Sequence, residues 1–104
     1  MIKAKAVKLA DVAGYQKDSI VSREIIHKDA GSVTAFAFDK GEGLSEHTAP
    51  FDAVIYVVDG RANIKIAGRS ATVKKGEMII MPANKPHSAK ALAKFKMLLI
   101  MIRK

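Results

Sequence analysis

The chain consists largely of short β-rich runs, and each run ends at a turn signal. Residues 19–27 and 32–38 are separated by a Lys-Asp-Ala-Gly turn, and residues 53–58 end at the turn dipeptide Asp59-Gly60. Some runs alternate apolar and polar residues, as half-buried strands do, whereas others are continuously apolar, as fully buried strands are. The two kinds together predict two sheets packed face to face around a filled interior.

The second half of the chain continues this pattern. Residues 61–67 alternate, so we predict that they form a hairpin with residues 53–58 across the Asp59-Gly60 turn. Three further strands, the middle one a short buried run, are expected at residues 70–74, 77–81 and 94–102. Two segments are ambiguous: residues 88–94 are rich in Ala and Lys and fit a helix or a strand, and residues 10–15 fit a short helical turn or a loop.

The length of 104 residues and the apolar fraction of 49% predict one folded domain, residues 1–104. There are no cysteines, which excludes disulfides, thiolate metal sites and thiol nucleophiles. The N-terminus lacks the apolar stretch of a signal peptide, and the longest apolar run, residues 97–102, is too short to span a bilayer. We therefore expect a cytoplasmic protein with no membrane partner.

The net charge of +8 is unevenly distributed. Residues 1–52 carry seven Lys/Arg and eight Asp/Glu, whereas residues 53–104 carry eleven and two. Such asymmetry can indicate an anionic ligand, nucleic acid or a membrane surface. The basic residues are scattered singly between apolar ones, and only four Phe and two Tyr are present for base stacking. A solvated lysine face is the preferred interpretation, and nucleic acid is an unlikely partner.

A first set of regularly spaced residues runs from Gly41 to Gly60. Five residues separate Gly41 from His47, and Ala49 stands two positions after that histidine. Ala53 follows after three more residues, and Gly60 after a further six.

A second set begins at Gly76. Five residues separate it from Pro82, and Asn84 stands two positions later. His87 follows after two residues, and Ala91 after three more.

These two sets resemble the paired signature of the cupin superfamily, in its small, single-domain, cupin type-2 conserved barrel form. The signature occupies residues 41–60 and 76–91. The resemblance implies an all-β fold, a small double-stranded β-helix (jelly-roll) barrel, with residues 1–104 as one cupin domain. Asn84 stands where the family has glycine, and we expect the turn to survive because Asn tolerates a left-handed backbone.

The resemblance also implies a metal site, of which half is missing here. In the family, three imidazoles and one carboxylate converge inside the barrel on a divalent transition metal. In this chain Ala49 replaces one histidine and Ala53 replaces the glutamate, which leaves His47 and His87 as candidate metal ligands facing the interior. Two neutral nitrogens form a weak site, since a first-row metal usually has three or more protein ligands. No cofactor is certain, and a divalent transition metal is the one candidate.

The two alanines should leave space beside the two imidazoles, so we predict a ligand pocket in the barrel. The predicted ligand-binding residues are His47, His87, Ala49, Ala53, Tyr56 and Met81, with Tyr56 included only if the strand register allows. The alternative is that neighbouring side chains fill the gap, because Met packs into irregular spaces. Met78, Met81, Met97 and Met101 are interpreted as core residues first and ligand contacts second.

Glu24, Glu46 and Asp52 are the carboxylates nearest to these elements in the sequence, and none is assigned a catalytic role. Glu46 and Asp52 have the opposite strand parity to His47, so on a regular strand they would point away from it. A bulge at Pro50 would reverse this for Asp52.

The first functional hypothesis is a barrel with an incomplete metal site that binds a small polar or anionic molecule. The alternative is a metal-dependent enzyme, of the dioxygenase or isomerase type, that uses a modified site built on His47 and His87. Whether the chain is an enzyme is left open. A third, weaker hypothesis is a nucleic-acid-associated sensor that would need a partner to bind DNA.

The family resemblance also implies a homodimer. The edges of a small sheet need covering, and residues 2–9 read as a strand that could add to the sheet of a partner copy.

Overall fold

The computed structural model describes residues 3–103 of the chain, and within them nine strands form two antiparallel sheets. The strands are β1 (Ile20–Lys28), β2 (Gly31–Phe38), β3 (Gly43–His47), β4 (Asp52–Asp59), β5 (Arg61–Ile66), β6 (Arg69–Lys74), β7 (Met78–Met81), β8 (His87–Ala91) and β9 (Phe95–Ile102). The five-stranded sheet has the order β1-β2-β9-β4-β7, and the four-stranded sheet has the order β3-β8-β5-β6. The all-β jelly-roll barrel expected from the sequence is therefore confirmed.

The hairpin predicted between residues 53–58 and 61–67 is wrong. β4 belongs to the five-stranded sheet and β5 to the four-stranded sheet, so the chain changes sheets at Gly60. The φ of Gly60 is +71°, and a Cβ at this position would overlap the carbonyl oxygen of Lys94. The same Asp-Gly dipeptide that favours a hairpin turn therefore supplies a bend, because both conformations need a positive φ that glycine adopts freely.

The true tight hairpin joins β5 to β6 and turns at Ala67 and Gly68, whose φ values are +49° and +81°. Two consecutive positive φ values match the primed turn that suits the twist of paired strands. The returning strand follows the same bend, since Lys75 N–H donates to the Gly60 carbonyl and Gly76 N–H donates to the Val57 carbonyl. β4-β5 and β6-β7 thus form one long, bent ribbon that crosses both sheets.

The core fills one end of the space between the sheets. The rings of Phe38 and Phe95 stack with centroids 4.4 Å apart, and both residues are fully buried. Val57 and Ile64, which come from opposite sides of the bend, are fully buried around them. The filled interior expected from the sequence is present at this end.

The observed strands decide two predictions, one for residues 88–94 and one for residues 77–81. Residues 88–94 do not form a helix: β8 takes up most of them and pairs with β3 and β5. The run at residues 77–81 is only half buried, because Met78 and Ile80 point outwards and are 56% and 54% exposed. The interpretation of Met78 as a core residue is therefore wrong, whereas Met81 and Met97 are buried.

The N-terminal segment covers part of the outer face of the five-stranded sheet. A short 3-10 helix, Leu9–Asp11, leads into Val12 and Ala13, which pack on Ala35 and Ala37 of β2. Residues 3–8 form no strand, and residue 2 lies outside the described residues. The strand predicted at residues 2–9 is thus not formed in the described part of that segment.

Tyr15 connects the N-terminal segment to the barrel through a hydrogen bond and a cation–π contact. Its hydroxyl donates a hydrogen bond of 2.7 Å to Oδ2 of Asp59, and the ammonium group of Lys96 lies 4.7 Å from the centre of its ring. Lys96 also donates to the backbone carbonyl of Ala10 at 2.5 Å. These contacts join the segment to β4 and β9.

Among residues 3–103, no helix is long and apolar enough to cross a membrane. The cytoplasmic location inferred from the sequence stays a prediction.

We predict that Tyr15 makes folding stability depend on alkaline pH. Burial, followed by the hydrogen bond and the charge of Asp59, raises the pKa of the Tyr15 phenol well above its ordinary range. Because the folded state holds this proton more tightly than the unfolded state, the stabilisation is complete below about pH 10 and is lost as the pH rises towards the folded pKa. Tyr15→Phe should lower the free energy of unfolding by about 1 kcal/mol at neutral pH.

The measurement is urea denaturation of both proteins from neutral to alkaline pH. The lysines titrate in both, so the difference between the two proteins isolates Tyr15. That difference should shrink above about pH 10, and a difference that stays constant with pH would show that the phenol is not perturbed.

Candidate functional site

The other end of the barrel is hollow. A cavity of about 60 Å³ lies between the sheets, next to the packed core. Its walls are mainly apolar and contain two histidines and one serine. The lining residues are Leu44, His47, Ala49, Phe51, Ala53, Ile55, Met81, His87, Ser88, Ala89, Met97, Leu99 and Met101.

A bulge in β3 turns His47 towards this cavity. Leu44 and His47 both line the cavity although they are three positions apart, which a regular strand with its alternating side chains does not allow. The pairing of β3 with β8 shifts register between these two residues, and the shift brings His47 directly opposite His87. The bulge considered at Pro50 concerned only the direction of Asp52, and the register shift that the structure shows lies earlier, within β3.

The two imidazoles are in direct contact. Nε2 of His47 lies 3.0 Å from Nε2 of His87, and the rings meet edge to face at an angle of 72° with centroids 4.3 Å apart. His87 is 9% exposed, whereas His47 lies on the solvent side of the pair. The pair therefore stands between the cavity and the outside.

Backbone carbonyl groups fix the tautomer of both rings. Nδ1 of His47 lies 2.8 Å from the carbonyl oxygen of Ser45, and Nδ1 of His87 lies 3.1 Å from that of Lys85. A carbonyl oxygen only accepts, so each Nδ1 carries the hydrogen and donates it. In neutral imidazoles each Nε2 then carries a lone pair, and the two nitrogens lie 3.0 Å apart with no hydrogen between them. Such a contact becomes favourable when a hydrogen-bond donor or a cation lies at the pair.

The loop between β3 and β4 brings Ala49 and Phe51 to the cavity. Asn84 N–H donates to the carbonyl of Ala49 at 2.8 Å, and Ala83 N–H donates to Oδ1 of Asp52 at 2.9 Å. The φ of Asn84 is +65°, so asparagine adopts the left-handed conformation expected of the glycine it replaces. The turn after Pro82 thus survives the substitution and anchors the loop.

The carboxylates considered as extra ligands lie elsewhere. Asp52 is exposed and bonded to the Ala83 amide, and Glu46 is exposed and does not line the cavity. Glu24 contacts His27 at the surface, with Oε2 and Nδ1 3.0 Å apart. None of the three is brought to the histidine pair.

Five of the six predicted ligand-binding residues line the cavity, and Tyr56 does not. On β4, Ala53 and Ile55 face the interior, so Tyr56 faces the outside and is 36% exposed. The register therefore does not allow Tyr56 to neighbour the pocket. Ligand binding by His47, His87, Ala49, Ala53 and Met81 stays a prediction.

The donor atoms of this cavity do not fit the divalent metal of the three-imidazole, one-carboxylate type. Ala49 and Ala53 occupy two of the four ligand positions, and no carboxylate lines the cavity. Within residues 3–103, no group of three or more His, Cys, Asp or Glu side chains could hold a metal ion. Two imidazoles alone fall short of the three or more ligands that such an ion usually has.

Some lining residues were missed by the sequence reasoning, and others were named only as second-choice contacts. Met97 and Met101 were interpreted as core residues first and ligand contacts second, and their cavity side follows from the pairing of β9 with β4, in which Met101 stands opposite Ala53. Leu44 and Phe51 depend on the bulge and on the loop, which no periodicity reports. The direct contact between the two histidines depends on the same bulge.

Comparison with known proteins identifies the architecture. A family model described as "Cupin domain" matches residues 35–103. The crystal structure of a conserved protein of unknown function from Streptococcus pyogenes superposes with a TM-score of 0.93 and 32% identity, over 97% of this chain and 89% of that one. A cupin 2 conserved barrel domain protein from Leptotrichia buccalis is 41% identical with a TM-score of 0.87, over 89% of this chain and 45% of its own.

A mutant of salicylate 1,2-dioxygenase from Pseudoaminobacter salicylatoxidans superposes with a TM-score of 0.75 over 80% of this chain and 26% of its own. At 14% identity this likeness shows the fold alone. A search of curated protein sequences gave no significant match.

We predict that Nδ1 carries a hydrogen in both His47 and His87, because each Nδ1 faces a carbonyl oxygen. Long-range nitrogen–proton NMR spectra of the ligand-free protein at about pH 8, where a histidine side chain is ordinarily neutral, would report the tautomer of each ring. A His87→Ala variant assigns the signals and should leave the Nδ1–H of His47 in place. An unprotonated Nδ1 in either ring of the wild type would contradict the lone-pair arrangement.

Proposed function

Because the chain belongs to the cupin family, we propose that its barrel binds a small polar molecule in the cavity between the sheets, with the head group of that molecule on the Nε2 atoms of His47 and His87. The observation that supports this most strongly is the pair of Nε2 atoms, 3.0 Å apart at the edge of the cavity. Neutral imidazole nitrogens in this tautomer accept hydrogen bonds. The pair therefore needs a partner that donates.

The two Nε2 lone pairs favour one of the two ligand classes, polar and anionic, that the sequence left open. A hydroxyl, amine or amide head can donate to one or both Nε2 atoms, whereas an anion would meet two lone pairs and be repelled. A protic polar head group is therefore favoured over an anionic one. Most of the remaining walls, which include Ala49, Ala53 and Leu99, offer apolar contacts to the rest of the molecule.

The size of the cavity limits the ligand. An apolar cavity of about 150 Å³ holds a benzene molecule, and one water molecule needs about 10–15 Å³ on the same measure. The 60 Å³ cavity therefore has room for a compact group of a few non-hydrogen atoms and not for an aromatic ring. A larger ligand would leave its remainder outside, beyond His47.

The metal-dependent enzyme remains the second hypothesis and is less well supported. A divalent ion at His47 and His87 would need further oxygen or nitrogen ligands, and Glu46 and Asp52 point elsewhere. Metal analysis of untagged protein, with His47→Ala and His87→Ala for comparison, would revive this hypothesis if an equimolar divalent metal were lost in both variants.

We predict that small protic molecules stabilise the wild-type protein and that filling the cavity removes this effect. Thermal shift assays would use alcohols, amines and amides of roughly three to six non-hydrogen atoms. A ligand at a hundredfold excess over Kd should raise the Tm by about 10 °C. His87→Ala should abolish the shift, and Ala53→Val, which adds two methyl groups towards the cavity, should abolish it while keeping the ligand-free Tm at or above that of the wild type.

Met78→Leu serves as the matched control, because Met78 lies on the outer surface and cannot contact the ligand. It should respond as the wild type does. If every compound shifts Ala53→Val as much as it shifts the wild type, the cavity is not the binding site.

A further inference from the structure

Most of the methionines of this chain lie at the cavity. The chain has five methionines and no cysteine. Three of the methionines, Met81, Met97 and Met101, line the cavity, while Met78 lies on the outer face and residue 1 is outside the described residues. Leucine would fill a core equally well, so the concentration of thioethers beside two imidazoles points to a chemical role.

Two of these methionines flank the position where the family carries its carboxylate ligand. Ala53 of β4 stands directly opposite Met81 of β7 on one side and directly opposite Met101 of β9 on the other. Side chains opposite each other on adjacent strands have their Cβ atoms about 5 Å apart. The small side chain of Ala53 therefore leaves a gap that the two thioethers border from both sides.

The histidines approach the same gap from the opposite wall. His47 and His87 belong to the four-stranded sheet, whereas Met81 and Met101 belong to the five-stranded sheet. Packed sheets lie about 10 Å apart, so long side chains from the two walls meet near the middle. Two imidazoles and two thioether side chains, carried by four different strands, therefore line the same cavity.

The nitrogen geometry suits a metal ion. An ion at about 2.05 Å from both Nε2 atoms, an ordinary metal–imidazole distance, would subtend an angle of roughly 95° at their 3.0 Å separation. Both Nδ1–H groups donate to backbone carbonyls, which is the usual way in which metal-binding imidazoles are oriented. Both Nε2 lone pairs would then coordinate the ion.

We propose that this cavity binds copper(I), with Nε2 of His47 and His87 and the thioether sulfurs of Met81 and Met101 as ligands. Thioether ligands select soft ions such as copper(I), and hard or borderline divalent ions prefer the carboxylate that is missing here. A monovalent ion also suits apolar walls that offer no negative charge. The proposal goes beyond the proposed function, because it takes the same cavity and the same two Nε2 atoms and assigns to them a soft cation in place of a protic head group.

The test is competition for copper(I) between the full-length protein and a chromogenic copper(I) chelator, under anaerobic conditions with a reductant present. The wild type should bind one copper(I). Met81→Leu and Met101→Leu, which keep the volume, should each weaken binding by at least about tenfold, and their combination by more. Met78→Leu is the matched control and should bind as the wild type does. Zinc(II) should bind far more weakly than copper(I).

Equal copper(I) affinity in the Met81→Leu, Met101→Leu double variant and in Met78→Leu would overturn the proposal, as would the absence of binding in the wild type. The proposed function is tested by a different combination of results. Absence of copper(I) binding together with protic ligands that stabilise the wild type but not Ala53→Val would remove the copper site and leave the small-molecule barrel in place.

A second inference comes from the outer face of the five-stranded sheet, which carries a continuous apolar row. The register places one outward side chain of each strand in line, in the order Ile26, Val33, Ile100, Val54 and Ile80. Ile26 and Ile80 are 47% and 54% exposed. The row crosses the whole sheet, and no charged residue interrupts it.

The neighbours of the row enlarge this apolar face. Tyr56 and Met78 stand side by side next to it, and Ile102 borders it on the other side with 52% exposure. A half-exposed side chain of this size leaves on the order of 100 Å² of surface, so the face presents roughly 600 Å². An apolar patch of this area lies at the upper end of the range found on monomeric proteins. Two such faces would bury about 1,200 Å², which reaches the range of stable interfaces.

We infer that this face packs against the same face of a second copy of the chain. A flat row of branched side chains fits another sheet face, as the inner faces of a sandwich do. The opposite side of the barrel cannot serve, because the outer face of the four-stranded sheet carries Arg61, Lys65, Lys74 and Lys90, all exposed. Like charges would repel two copies that met there. The homodimer predicted from the sequence thereby gains a specific surface, which differs from the N-terminal strand first expected.

Sedimentation equilibrium of the full chain at micromolar concentration tests this interface. The wild type should be a dimer, and Ile26→Lys and Ile80→Lys should each be monomers with unchanged urea midpoints, since both positions are exposed. Thr72→Lys, an exposed position on the four-stranded sheet, is the control and should remain a dimer. A monomeric wild type, or dimers in both isoleucine variants, would overturn the inference.

Discussion

The architecture depends on two backbone bends, at which the ribbon formed by β4-β5 and β6-β7 passes from the five-stranded sheet to the four-stranded sheet. At Gly60 the chain leaves the five-stranded sheet with a positive φ, and a side chain there would overlap the Lys94 carbonyl. The returning strand bends at Gly76, whose φ is +85°. Backbone hydrogen bonds between the two strands hold both bends, and they help to keep the two sheets face to face. The core and the cavity both lie in the space that these bends create.

The site depends on a smaller irregularity. The shift in β3 rotates His47 inwards and sets its Nε2 against that of His87, while carbonyl groups hold both outer nitrogens. The main chain thus decides which atoms face the cavity and whether they accept or donate. On the side of the pair that borders the apolar cavity, such a fixed arrangement of nitrogens acts more strongly than it would in bulk water.

The sequence predicted the fold well because its signals are local. Alternation placed most strands, and the spacing of Gly41, His47, Pro82 and His87 carried the family resemblance. The Asp59-Gly60 hairpin was wrong because a dipeptide reports only that a positive φ is needed, and not which strands it joins. The site was predicted less completely. Ala49 and Ala53 follow from the family resemblance and Met81 from its place beside the second set of spaced residues, whereas the bulge in β3 and the opposition of Met101 to Ala53 are non-local and leave no trace in the periodicity.

The cavity and the packed core lie at opposite ends of the same strands. Phe38, Phe95 and Ile64 fill one end completely, and Ala53, Ala49 and the histidines surround the hollow other end. Stability and recognition are therefore supplied by different segments of each strand. Substitutions at the hollow end can change what the barrel holds without loosening the aromatic stack that keeps it folded. This division lets the chemistry of the interior change while the architecture of the barrel stays the same.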